Sequence, residues 1–228
     1  MKYAYDWDFD PISKRHTDSL CLYQIVSAKG KAGITFLCTP QIIASKSEGQ
    51  KISYGKILCE KVSVWFYSDF IELLIKEKGL NKICCSFFRM LSESELEATR
   101  KLKDNTIDHC HFIFMIWVNH HYTILIRGEG EILLREKCRN RIRLVRQNGT
   151  SKIKKIKGVL NERTSILMAL GMFSNKLSKN EITSIFRKEN EEEGRLKKIL
   201  TECNQRIRNS KKLESDTMIW LRFDRQDV

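Results

Sequence analysis

Between residues 111 and 134 the chain carries three strand-length apolar runs almost back to back, at 111–118, 122–127 and 131–134. Only Asn119-His120-His121 and Gly128-Glu129-Gly130 separate them. Parallel neighbours need a crossover of about a dozen residues or more, so connections this short impose an antiparallel meander. The rest of the chain must be built around it.

The surrounding periodicities group by type. Residues 18–26 alternate as a strand, Lys29-Gly30-Lys31 marks a turn, and residues 32–38 read as a second, more buried strand closed by Pro40. From Tyr54 the period becomes helical, with Leu58, Val62, Trp65, Phe66, Phe70 and Leu74 on one face and Gly79 as the stop. A second helix is expected over 81–101, with a fresh start near Ser92, because Ser92 and Glu95 have capping-box spacing. After the meander come a strand at 164–170, a capped helix from Ser178, an amphipathic helix through Leu196, Ile199, Leu200, Cys203 and Ile207, and a last strand at 217–223. Strands grouped with strands and helices with helices predict an α+β fold with antiparallel sheets. With no repeat and no Pro- or Gly-rich linker, residues 1–228 are expected to form a single domain.

Composition excludes several classes. A hydrophobic share of 42% and eleven Phe are too much for a disordered chain. No apolar run approaches the roughly 20 residues of a membrane span, and the N-terminus lacks the pattern of a secretory signal. A cytoplasmic location is the expectation, and the eight scattered cysteines, without CxxC, read as reduced thiols filling the core. The net charge of +13 is the anomaly. Ten basic residues and one acid, Glu136, fall between Arg135 and Lys157, with Arg135, Lys137, Arg139, Arg141, Arg143 and Arg146 the densest part. A solvated hairpin or loop and a polyanion-contacting patch both account for that segment.

Familiar catalytic signatures are missing: GxSxG, the P-loop, HExxH and GxGxxG do not occur. His109, His111, His120, His121 and Cys110 lie within thirteen residues, yet without a zinc-site spacing they read as polar strand ends. Asp6, Asp8 and Asp10 could share one strand face, as could any exposed N-terminal strand. A free cysteine nucleophile stays open, with no Cys-His pairing legible.

Five segments in order carry a resemblance. They are Lys14-Arg15-His16-Thr17-Asp18-Ser19, Phe36-Leu37-Cys38-Thr39-Pro40, Ile126-Arg127-Gly128-Glu129-Gly130-Glu131-Ile132, Ile166-Leu167-Met168-Ala169-Leu170-Gly171 and Ser215-Asp216-Thr217-Met218-Ile219. Together they resemble the PPM-type (type 2C) metal-dependent serine/threonine phosphatases, especially compact bacterial forms, over nearly the whole chain. The resemblance implies an antiparallel β-sandwich flanked by helical layers. It also implies two Mg²⁺ or Mn²⁺ ions activating water for attack on a phosphoester.

The departures fall on the chemistry. Asp18 and Asp216 keep carboxylates at matching positions and are candidates for a vestigial single-cation site, or simply turn and strand-start caps. The bridging Asp aligns with Thr39, its following Gly with Pro40, and the later Gly-Gly with Ile42-Ile43. The Asp of the family's Ser-Asp-Gly becomes Leu170, while the Asp and Arg of Gly-Asp-Ser-Arg become Glu129 and Glu131. The phosphate-binding Arg falls near Ser13, where only Lys14 or Arg15 could stand in. The expectation is a degenerate, catalytically inactive regulatory or binding module. It would need no cofactor, Mg or Mn entering only if activity is retained. Its partner would be another protein, such as a phosphoprotein or kinase-pathway component, with a polyanion possible and no membrane. Two rivals remain: an active phosphatase using Asp18, Asp216 and Glu48 or Glu129, and a basic nucleic-acid-binding protein.

Overall fold

The structure is a computed structural model that describes residues 2–11, 20–26, 32–39, 42–44, 51–101, 110–136, 141–161, 164–170, 180 and 217–226. Ten strands are present among them: β1 (Lys2–Pro11), β2 (Leu20–Val26), β3 (Ala32–Cys38), β4 (Ile42–Ala44), β5 (Lys51–Ser53), β6 (Phe112–Val118), β7 (His121–Glu136), β8 (Arg141–Val159), β9 (Thr164–Leu170) and β10 (Thr217–Gln226). Every pairing is antiparallel. Eight strands are hydrogen-bonded together: seven follow the path β1-β10-β9-β7-β6-β3-β2, β8 pairs along the other edge of β7, and β4 and β5 make a small separate ribbon.

β7 is the strand on which the architecture turns. Its first half pairs with β6 and its second half with β9, both on one edge, while β8 runs along the whole opposite edge. The register slips between Ile126 and Gly128 and again before Gly130. Such bulges bend a strand and raise its twist, so the two halves diverge and carry their partners into facing sheets. β9 accordingly lies against β3 and β6, which are not its hydrogen-bonding neighbours. The interior between the layers holds Leu37, Ile113, Met115, Trp117, Ile124, Ile126, Ile132, Ile166 and Met168, with Leu170 at its end. Gly128-Glu129-Gly130 is therefore a bulge inside one long strand, where the sequence pattern predicts a turn between two.

The opposite face of β3, β6 and the start of β7 is covered by helices. α1 (Tyr54–Trp65) starts at Ser53, whose hydroxyl accepts from the Lys56 amide. It runs through a π-helical turn (Phe66–Phe70) into α2 (Ile71–Ile75). α3 (Leu80–Lys101) then returns antiparallel without the break expected at Ser92. Leu58, Val62, Trp65, Phe70, Phe87 and Leu91 pack with Ile34, Phe36, Phe114 and Ile116, and Leu74 joins them half-buried. Phe87 stacks on Phe114 at 3.9 Å between ring centroids, and Trp65 meets both edge-on. The helices expected beyond Ser178 lie outside the described residues, apart from a helical Asn180.

Candidate functional site

Antiparallel register gathers several strand ends at one end of the sandwich. Leu20 opens β2 opposite Cys38, which closes β3, and Phe112 opens β6 opposite the same Cys38. Leu170 closes β9 opposite Gly130 of the β7 bulge, and Met218 near the start of β10 faces Ala169. Thr39 and Leu170 thus share this end, across His111 and the bulge. Asp18, Asp216, Glu48, Lys14 and Arg15 lie outside the described residues.

Thr39 is tied into the backbone. Its amide donates to the His111 carbonyl at 2.9 Å, and its hydroxyl accepts from the His111 amide at 3.2 Å. Leu170 is buried in the core between the sheets. Glu129 is exposed on the bulge, where its amide donates to His111 Nδ1 at 3.4 Å. Gly128 (φ 78°) lies so close to the His111 ring that an added Cβ would stand 2.4 Å from its Cδ2. Glu131 is fully buried one step further and pairs with Arg146 Nε at 3.0 Å. A pair of hard divalent cations needs carboxylate oxygens, and the described positions Thr39 and Leu170 offer a hydroxyl and an alkyl chain. Among the described residues no three His, Cys, Asp or Glu side chains converge into a group able to hold a metal ion. The donors at these two positions do not fit such a metal pair.

Two further features emerge that the sequence pattern conceals. Arg127 is buried between β7 and the helices, pairs with Glu95 of α3, donates from Nε to the Cys110 carbonyl at 3.2 Å and lies 4.7 Å over the Phe112 ring. An arginine within an apolar strand signals a buried partner, but the sequence cannot say which acid supplies it. Beside it Cys110 donates its thiol to the Thr39 carbonyl at 3.1 Å, and Cys38 touches both Cys110 and Cys59. The hydrogen bond from Cys38 pulls the Cys110 thiol below its usual range against the opposing effect of burial, with Thr39 and Arg127 helping. The same bond, with one to Cys59 and burial, pushes Cys38 well up.

The basic segment is ordered, in large part, as the edge strand β8. Arg143, Arg146, Lys152, Lys154, Lys155 and Lys157 are exposed on it, and Arg135 is half-buried on β7. Arg141 opens β8, whereas Lys137 and Arg139 lie outside the described residues.

No protein-family profile matches the sequence, and no curated protein does either. Solved structures match over nearly the full length. A variant of a bacterial serine phosphatase superposes with a TM-score of 0.69 at 10% identity, covering 98% of this chain and 99% of that one. The fold is that of the PPM-type phosphatases. The S. agalactiae serine/threonine phosphatase gives a TM-score of 0.64 at 11% identity, covering 98% of this chain and 100% of its own. The catalytic domain of the serine/threonine phosphatase PstP, solved with two manganese ions, gives 0.62 at 7% identity over 98% and 99%. The likeness to the PPM-type fold thus runs over nearly the whole chain.

Proposed function

We propose that this chain is a PPM-type phosphatase-like domain that has lost its metal-dependent catalysis and works as a regulatory or binding module. The supporting observation is the pair Thr39 and Leu170. The resemblance places Thr39 where the family's bridging carboxylate stands, and its hydroxyl carries no charge to offset repulsion between two cations. Leu170 is buried, and a dry apolar neighbour raises the cost of placing a charge there. Asp18 and Asp216 alone would supply at most a weak single-cation site. The partner is another protein, with phosphoproteins and kinase-pathway components the class suggested by the fold. One protein of this fold, PppA, is described as a key regulatory component of the Pseudomonas aeruginosa T6SS. The cell compartment that fits is the cytoplasm; no described helix is long and apolar enough to cross a membrane.

The test is calorimetric titration with Mn²⁺ together with hydrolysis of para-nitrophenyl phosphate. The expected result is no site tighter than millimolar, roughly −4 kcal/mol, and no Mn²⁺-dependent turnover. Micromolar Mn²⁺ binding, or turnover abolished by Asp216→Ala, overturns the reading in favour of a divergent active phosphatase.

A further inference from the structure

Three thiols meet where the end of β3 abuts α1. Cys38 is the last residue of β3 and fully buried, and Cys59 lies in the second turn of α1, half-buried. Their sulfurs are 3.7 Å apart, in van der Waals contact. Cys38 also reaches the Gly55 carbonyl of α1 at 3.5 Å, so the strand end and the helix are held face to face at this point. Cys110, whose thiol donates to the carbonyl of the next residue, Thr39, is also close to Cys38, and all three cysteines are free thiols. The contact lies one residue before Thr39, yet nothing in the phosphatase-like chemistry uses a thiol.

We propose that Cys59 and Cys38 form a peroxide-responsive dithiol, closing to an intramolecular disulfide that clamps the Thr39 end of β3 onto α1. This goes beyond the pseudophosphatase reading and does not depend on it. The oxidant is a hydroperoxide. The Cys59 thiolate attacks the terminal peroxide oxygen, forming an S–O bond as the O–O bond breaks. Cys59 becomes a sulfenic acid, and water, or an alcohol from an organic hydroperoxide, departs. Cys38 then attacks the Cys59 sulfur: the S–S bond forms, the S–O bond breaks, and the expelled hydroxide takes the Cys38 proton to leave as water. Two thiols lose two electrons and the peroxide gains them. Cys59 comes first because it alone of the three is reachable from solvent, and Cys38 resolves because it is the thiol in contact. Closure requires the sulfurs to approach from 3.7 Å to about 2.05 Å.

Trypsin places the candidate cysteines in separate peptides: Cys38 in 32–46, Cys59 in 57–61, Cys84 and Cys85 in 83–89, and Cys110 in 104–127. The full chain is treated with equimolar hydrogen peroxide, alkylated under denaturing conditions, digested and analysed by mass spectrometry without reduction. The expected product joins 32–46 to 57–61 and disappears with dithiothreitol. Cys59→Ala should abolish it and leave Cys38 alkylated, whereas Cys85→Ala should leave its yield unchanged. A crosslink between Cys38 and Cys110, oxidation confined to the exposed Cys85, or full alkylation of Cys38 and Cys59 in the unmodified chain would each overturn the proposal. The wild-type digest decides the matter even if a variant folds poorly.

Discussion

Tyr54, Glu95 and Arg127 share one buried corner between α1, α3 and β7, and their chemistry sets two expectations. Burial, reinforced by the Glu95 carboxylate, pushes the Tyr54 phenol above its usual range. A tyrosine in the unfolded chain ionises near pH 10, so above about pH 10 the unfolded state binds fewer protons than the folded one. The stability held below that point is therefore lost as pH rises. Tyr54→Phe should move the midpoint of alkaline unfolding upward, as followed by circular dichroism, and an unchanged midpoint would show that Tyr54 is not the group responsible. The second expectation concerns charge. Arg127 is 3% exposed and Glu95 27% exposed, so Glu95→Gln leaves a guanidinium buried without its counter-ion. Removing one partner of such a pair costs about 3 kcal/mol or somewhat more, measurable as a lower urea midpoint at constant slope. At this scale the sequence is only half legible. Arg127 stands out inside its apolar strand, but Glu95 is 32 residues away on a helix, a pairing that only the tertiary fold creates. The thiol contact between Cys38 and Cys59 is concealed for the same reason.

Elements depart from their sequence signals where packing outweighs local preference. Gly128-Glu129-Gly130 carries a turn signature, yet β8 and β9 pair on both sides of it and make the chain continue as a bulged strand. The positive φ and the His111 ring against Gly128 leave no room for a side chain. Gly128→Ala should cost about 1–3 kcal/mol, and because the bulge aims both halves of β7, the loss should appear in denaturant melts of the whole domain. Ser92 and Glu95 spell a helix start, but Ile83, Phe87, Leu91 and Ala98 form one buried stripe across it. The stripe keeps α3 continuous. The π-helical turn escapes the sequence because Phe66 and Phe70 are four apart, a spacing that also suits an ordinary α-helix; here the two rings stack at 5.0 Å. The end of α2 also differs from expectation. Gly79 is the apparent stop, but the left-handed residue is Glu77 (φ 52°), with its amide on Leu74 and that of Lys78 on Leu73. This is a Schellman cap, which favours glycine. Glu77→Gly should raise stability by about 0.5–1 kcal/mol, read as a higher thermal midpoint.

The layer order of the whole molecule was open to sequence reasoning because strands and helices come in blocks, and blocks of unlike period must pack as separate layers. The folding of one strand path into two sheets was not, since it depends on the bend in β7. The same arrangement gives the basic segment a structural role beside any binding role. Among the described residues β8 pairs with β7 alone, so its other edge is one along which a second chain could add a strand. Exposed Arg143, Lys152 and Lys155 deter such pairing through charge, and they are also placed to contact a polyanion. The sign of the charge separates the two roles. Reversing all three to Glu keeps the edge charged, so the protein should stay monodisperse in size-exclusion chromatography. Heparin retention should then fall further than when Lys56, Lys76 and Lys78, which are exposed on the helical layer, are reversed. Replacing the same three β8 residues by Val removes the charge and raises strand propensity, so self-association should appear. Equal losses of heparin retention from the two sets of reversals would mean that only the net charge of +13 governs polyanion binding. In that case β8 is basic to protect an edge rather than to hold a ligand.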